Sequence, residues 1–306
     1  MDRSIAVMPL PPAILIKGEN GRIMAQGGLC IAFYMAAPTS QVAQAAAQAL
    51  EAYKGFVGPE ALSFYADMDG EWQQLETEGW EPIRKEFLDP IRARVHLVGN
   101  DTSPGGFGFE YDGKELGEPA FQYWPRAVST LRFWLPMGFL ETRGPDRIRA
   151  LATEVATLLP FNSGHAGLSF NASFQLAGVM EAVSKEALRH PGLDILKLEH
   201  AGNEIGTQVR VPHWLTFIGD PVLKKVGGIE ALRAHLHEPG TTVEAINPQR
   251  AVVTLGPAPT PGEEGQPMPA YRELARVLEP WAYHPASCPG FSPEAAFPRW
   301  DRRFLD

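Results

Sequence analysis

The sequence predicts an α+β fold in which a mixed β-sheet is packed with helices. Two observations lead to this prediction: apolar residues alternate between strand-like runs and stripes with helical spacing, and one strand–helix–strand order occurs twice. Of the 306 residues, 44% are hydrophobic and 21% are charged, which is typical of globular proteins. The length slightly exceeds the ~250–300 residues at which a single core stops growing. We therefore expect one composite domain over residues 1–306, with lobes at 1–126 and 127–306 as the alternative division.

The first strand–helix–strand unit lies near the N-terminus. The apolar segment Leu29–Met35 predicts a strand, and Ala61–Phe64 predicts the strand that follows the helix. The helix itself is expected over residues 41–53, with Thr39 or Ser40 as its N-cap. Its apolar face is formed by Val42, Ala46, Ala49, Leu50 and Tyr53.

The second unit repeats this order. Leu131–Leu135 predicts a strand, a helix is expected over Pro145–Leu159, and Gly167–Phe170 predicts the returning strand. Proline suits the first helical turn, where its missing N–H has no partner to lose. Both units end in Leu-Ser-Phe, which indicates two related strand–helix–strand halves, with chance similarity as the alternative.

The remaining segments predict further helices and strands. These are a helix at 80–92, strands at 94–98 and 107–111, a helix at 174–189, a strand ending at Gly219, a helix capped by Asp220 with Pro221 at its first position, a helix at 229–236, a hairpin of 241–246 with 251–255, and a helix at 271–278.

Charge and cysteine usage limit the class of partner. The net charge of −9 argues against nucleic acid as the direct ligand, because phosphate binding needs a clustered basic surface. The same acidity suits a basic protein. The uncharged segment 23–50 contains Pro38 and four glutamines, which argues against a membrane span there. The two cysteines make no disulfide framework, so we expect a cytoplasmic protein.

A search for catalytic and metal-binding motifs yields none. Ser163 lies close to His165 but lacks the Gly-x-Ser-x-Gly elbow, so we expect residues 162–167 to form a turn, with His165 solvated or bonded to the backbone. His235 and His237 are two residues apart on a helix and point to different sides. The glycines at 105–108 lack phosphate-binding spacing. We therefore expect no catalytic residue, no cofactor and no metal.

Several motifs in the C-terminal half resemble the type VI secretion immunity family, whose members neutralise antibacterial toxins that include VRR-Nuc nucleases. The motifs are His190–Asp194, Val211–Asp220, Leu223, Gly227-Gly228, Leu232-Arg233, Tyr271–Ala275 and Arg299–Phe304. The resemblance is strongest from about residue 131 to the C-terminus. The resemblance implies that the protein inhibits a toxin. The family has no catalytic motif whose residues could be assigned to this sequence.

Two acidic segments are candidates for partner binding. The segment between Lys54 and Arg84 contains no basic residue, and its carboxylates are interleaved with two tryptophans, which are enriched at binding hot spots. The candidate contacts are Asp67, Asp69, Glu71, Trp72, Glu76, Glu78, Trp80 and Glu81, with Glu110 and Asp112 from a second acidic patch. Alternatively, the charges line a solvated surface and the tryptophans fill the core.

The sequence therefore favours an immunity protein that binds a cognate toxin, expected to be a nuclease, and inhibits it stoichiometrically. Two alternatives remain open. One is an enzyme whose catalytic residues are dispersed along the chain, and the other is an adaptor or chaperone that carries an effector without silencing it.

Overall fold

The computed structural model describes residues 14–18, 21–75, 80–99 and 104–306. The strands are β1 (Leu15–Lys17), β2 (Ile23–Met35), β3 (Phe64–Ala66), β4 (Trp72–Gln74), β5 (Arg92–Val98), β6 (Gly108–Lys114), β7 (Ser129–Pro136), β8 (Ser163–Ala172), β9 (Leu215–Gly219), β10 (Thr241–Asn247) and β11 (Arg250–Leu255). The α-helices are α1 (Thr39–Val57), α2 (Trp80–Phe87), α3 (Met137–Arg143), α4 (Pro145–Leu158), α5 (Val179–Arg189), α6 (Leu198–Glu204), α7 (Val222–Val226), α8 (Ile229–Ala234), α9 (Pro269–Leu278) and α10 (Phe297–Asp301).

These strands form one eleven-stranded sheet in the order β10-β11-β9-β8-β2-β7-β6-β5-β3-β4, and β1 pairs with the start of β2. The predicted α+β class is confirmed. The sheet differs from the expected mixed one, because every ladder between the described strands is antiparallel. Both of the alternative lobes, residues 1–126 and 127–306, contribute strands to this sheet. Strand β2 of the first lies between β7 and β8 of the second.

The helical connections explain why the sheet is antiparallel. The helix α1 leads from β2 to β3, and three strands lie between these two in the sheet. The helices α3 and α4 lead from β7 to β8, with only β2 between them. In each case the connected strands run parallel but are not neighbours. Because the two connections span different numbers of strands, the repeated local order does not extend to a shared sheet topology.

The alternation of side chains along β2 creates two cores. Leu29, Ile31, Phe33 and Met35 pack on one face with the apolar residues of α1 and α4. Cys30, Ala32 and Tyr34 face the other side, where Leu196, Leu198, Ala201 and Tyr283 cover them. A further cluster lies under α7, α8 and α9.

Two predicted helix starts are wrong in detail. Helix α1 has Pro38 rather than Thr39 or Ser40 at its N-cap position, since the Thr39 hydroxyl forms a hydrogen bond with the buried Tyr111 hydroxyl instead. Helix α7 begins at Val222 with Pro221 at the N-cap position, and Asp220 lies outside it. Within the described ranges, no helix has the length and apolar character needed to cross a membrane.

Candidate functional site

The turn between β3 and β4 holds the first acidic candidates in a defined shape. The Asp67 carboxylate accepts hydrogen bonds from the Gln73 side chain at 2.7 Å and from the backbone N–H groups of Glu71 and Asp69 at 2.9 and 3.0 Å. These hydrogen bonds lower the pKa of Asp67, first through Gln73. Asp69 and Glu71 are exposed, and Met68 at the tip is 96% exposed. The turn therefore presents ordered negative charge around an apolar tip.

The structure separates the two candidate tryptophans. Trp72 lies on β4 at the edge of the sheet, remains 36% exposed, and contacts the His96 ring edge-on at a centroid distance of 4.9 Å. Trp80 begins α2, and its ring lies 3.8 Å below the Lys54 ammonium of α1. Glu81 is exposed on α2, 3.8 Å from both Arg84 and Lys85. Glu76 and Glu78 lie outside the described residues.

Glu110 and Asp112 form ion pairs on β6. Asp112 pairs with Arg92 at 2.8 Å and with the fully buried Lys114 at 2.6 Å. Glu110 pairs with Arg132 and lies 3.3 Å from His96. Burial raises the pKa of Glu110, but Arg132 outweighs this effect and keeps the pKa below its usual value. These two carboxylates are compensated by cations, unlike the exposed carboxylates of the β3–β4 turn.

A buried charged centre that sequence reasoning missed lies behind β8. Asp194 accepts hydrogen bonds from Arg210 at 2.8 and 2.9 Å, and the Arg303 guanidinium lies 3.8 Å away. His213 lies 3.2 Å from the same carboxylate and His165 lies 3.9 Å from it. Burial raises the pKa of Asp194, but Arg210 and His213 reverse this and hold it well below its usual value.

The sequence did contain a signal for this centre. Asp194 ends the motif His190–Asp194, His213 lies in Val211–Asp220, and Arg303 lies in Arg299–Phe304. Three of the motifs that carry the family resemblance therefore meet in one buried ion-pair network. These residues form buried ion pairs that stabilise the fold, which explains why their motifs show no catalytic pattern.

His165 occupies a place that the sequence interpretation did not anticipate. Residues 163–172 form β8 rather than a turn, and His165 is buried instead of solvated. Its ring stacks on that of His213 at a centroid distance of 4.0 Å and an angle of 22°. The four ring nitrogens make no well-aligned hydrogen bond with any described residue. Burial lowers the pKa of both imidazoles.

His165, Asp194 and His213 bring three metal-ligating atoms within 4.8 Å of one another. The arrangement does not suit a metal ion, however. A nitrogen lone pair lies in its ring plane, and one ion about 2 Å from both nitrogens cannot lie in two stacked planes. Arg210 and Arg303 also place two positive charges beside the carboxylate.

A cavity of about 160 Å³ adjoins this centre. Its lining includes Lys197, Arg210, Tyr283, Cys288, Asp301 and Arg303. Burial raises the pKa of the Cys288 thiol, which opposes formation of a reactive thiolate. This raised pKa argues against Cys288 as a nucleophile.

The comparisons with known proteins agree with the motifs. Residues 45–304 match the family described as type VI immunity for VRR-NUC, named TsiV. The structure is similar to that of the Pseudomonas aeruginosa T6SS protein PA0821, with a TM-score of 0.75 and 20% identity over 95% of this chain and 87% of that chain. This likeness shows a shared fold. No curated protein matches the chain. Because the family match extends over most of the sequence and confirms the resemblance, the chain belongs to the family of type VI immunity proteins for VRR-Nuc toxins.

Proposed function

We propose that this protein is a cytoplasmic, stoichiometric inhibitor that binds a cognate antibacterial nuclease toxin and catalyses no reaction. The observation that carries the proposal is the family match over residues 45–304. The absence of a disulfide supports the compartment, because Cys30 and Cys288 are both free thiols. In this proposal the inhibitor blocks the toxin's active site or its access to DNA.

Electrostatics support a nuclease as the partner. A DNA-binding cleft must be positively charged to hold phosphates, and this chain has a net charge of −9. Opposite charges speed the encounter of two proteins and orient them before contact. An acidic inhibitor would therefore reach the cleft quickly and compete with DNA for the same basic residues.

We propose that the acidic candidates contact the toxin. Asp69, Glu71 and Trp72 have the strongest support, because they are exposed on one hairpin whose turn Asp67 holds in place. Trp80, Glu81, Glu110 and Asp112 have weaker support, since each also contacts a cation of this chain. Glu76 and Glu78 belong to the same proposal on sequence grounds alone.

Co-expression with a candidate VRR-Nuc toxin tests the proposal. An inhibitor restores growth, co-purifies with the toxin, and ends nuclease activity in vitro at a 1:1 ratio. A nuclease from an unrelated family serves as the control and should stay active. Binding without rescue would instead identify an adaptor. If the protein neither binds the toxin nor rescues growth, the enzyme alternative is favoured.

A further inference from the structure

We propose that the nuclease domain of the cognate toxin docks on one end of the β-sheet, through a surface built from three connections. This sheet-end surface consists of residues 67–71 between β3 and β4, residues 88–91 between α2 and β5, and residues 115–128 between β6 and β7. The proposal rests on the proposed function and adds where the partner binds.

The strand register brings these connections together. Arg92 at the start of β5 pairs with Lys114 at the end of β6, so residues 88–91 and 115–128 leave the sheet at the same end. The Glu115 N–H donates to the Ile91 carbonyl at 2.8 Å and joins them directly. Strand β3 runs antiparallel to β5, so its turn at 67–71 points to this end as well.

Exposed apolar side chains concentrate on this surface. Eight large hydrophobic residues are the most exposed in the described part of the chain, and five of them lie in the three connections. They are Met68, Leu88, Ile91, Tyr123 and Trp124, and Trp72 lies directly after the first connection. Tyr123 is 79% exposed and Leu88 is 76% exposed. Soluble monomers rarely cluster apolar groups without a partner, and tyrosine and tryptophan dominate interface hot spots.

The charge of this surface determines which partner fits. The three connections contain six carboxylates, Asp67, Asp69, Glu71, Asp89, Glu115 and Glu118, and one cation, Arg126. The Arg126 guanidinium donates to the Ile205 carbonyl at 3.2 Å. A second copy of this chain would bring the same negative charges face to face, which disfavours self-association. The basic DNA-binding face of a nuclease is the complementary partner.

Hydrogen bonds to the backbone hold the acidic connections in shape. Asp89 accepts from the N–H groups of Ile91 and Arg92 at 2.9 and 2.7 Å. Glu115 accepts from the Ser40 N–H at 3.2 Å, at the start of α1. An ordered surface loses less conformational entropy on binding. These hydrogen bonds thus keep both carboxylates in place before the toxin arrives.

The sheet-end surface extends across several strands and into a neighbouring groove. It spans five neighbouring strands, from β4 to β7, which is about 19 Å at the usual strand spacing. Beside Trp124 it continues into a groove of about 630 Å³ lined by Phe121, Arg126 and Gln208. Stable complexes bury roughly 800 Å² on each partner, so we expect the toxin to contact the groove as well as the three connections.

Binding of the purified toxin nuclease domain to the full-length protein tests the proposal. The double variant Tyr123→Ala, Trp124→Ala should weaken the Kd at least about 30-fold, because it removes two aromatic anchors. The charge reversal Asp69→Lys, Glu118→Lys should weaken it further. The control variants are Leu176→Ala, which removes an exposed apolar group elsewhere, and Glu263→Lys, Glu264→Lys in the loop after β11, at the opposite end of the sheet. Circular dichroism melting checks that each variant folds.

The outcomes separate the two proposals. If the wild-type protein fails to bind or inhibit the toxin, the proposed function fails. If the wild-type binds and the sheet-end variants bind equally well, only the docking surface is overturned. A concentration-dependent dimer that Tyr123→Ala, Trp124→Ala abolishes, with toxin affinity unchanged, would assign the surface to a second copy and also overturn this inference.

Discussion

The Arg210 guanidinium donates two hydrogen bonds, at 2.8 and 2.9 Å, to the Asp194 carboxylate, which is almost fully buried. This pair lies between the sheet and the C-terminal segment that contributes Arg303. It links the C-terminal segment to residues 194–210, which lie far earlier in the sequence. Removing one partner of this ion pair tests its contribution to stability, because the other partner keeps its charge without a counter-ion.

We expect Asp194→Asn to destabilise the protein by about 3–5 kcal/mol, because it leaves Arg210 and Arg303 buried without their anionic partner. Urea unfolding followed by tryptophan fluorescence measures the change. Asp146→Asn is the matched control, since Asp146 is an exposed partner of Arg149 and its loss should change stability by less than about 0.5 kcal/mol. Equal effects of the two variants would contradict the role of Asp194 as the anionic partner of Arg210 and Arg303.

We expect stability to fall as the pH falls below about 6.5, the ordinary pKa of histidine. Burial lowers the pKa of His165 and His213 in the folded protein, so both stay neutral while the unfolded chain takes up protons. Each histidine then removes about 1.4 kcal/mol per pH unit until its folded pKa is reached. Asp194 does not contribute to this change between pH 7.5 and 5.5, because its lowered pKa stabilises the protein fully there and this contribution is lost only below the ordinary pKa of aspartate, about 3.9.

Urea unfolding at pH 7.5, 6.5 and 5.5 measures this dependence. His165→Gln should reduce the slope by about one proton if the variant folds, and His213→Gln should do the same. A flat profile in the wild-type protein between pH 5.5 and 6.5 would show that the stacked imidazoles do not stay neutral in the folded state.

The sequence predicted those elements whose signal is local. Apolar runs and helical stripes located β7, α1 and α4 within a few residues, and they located the second half of β2. Strand β4 was missed because Trp72, Gln73 and Gln74 are all exposed and show no alternation. The first residues of β8 resemble a turn because Gly164 lies there, yet the glycine is needed where the Phe33 ring and the Ala32 carbonyl approach the strand.

The candidate site was only partly predictable for a physical reason. The acidic turn at residues 67–71 is contiguous, so its charge is visible in the sequence. Its proposed neighbours at 88–91 and 115–128 are brought beside it by strand order, which local patterns do not encode. The ion pairs of Glu110 and Asp112 depend on cross-strand register in the same way.

We expect opposite effects when alanine replaces two glycines with different surroundings. Gly192→Ala would place its Cβ on the Thr260 carbonyl oxygen, so backbone must move, and we expect a loss of about 1–3 kcal/mol. Gly138→Ala in helix α3 meets no atom within 4 Å. There we expect a gain of about 0.5–1 kcal/mol, since alanine restricts the unfolded chain. Thermal melting of both variants tests the pair, and a destabilised Gly138→Ala protein would contradict it.

If the proposed toxin binding is correct, long-range electrostatic attraction should set how fast the two proteins associate. Asp69→Asn, Glu71→Gln removes two exposed charges with little change in shape, so the association rate constant should fall several-fold at low salt while the dissociation rate changes less. At about 1 M salt the Debye length shrinks to roughly 3 Å and the difference should disappear. Stopped-flow binding at several salt concentrations measures both rates, with Glu263→Gln, Glu264→Gln as the control at the opposite end of the sheet. A rate reduction that persists at high salt would mean that these residues act through contacts rather than through long-range attraction.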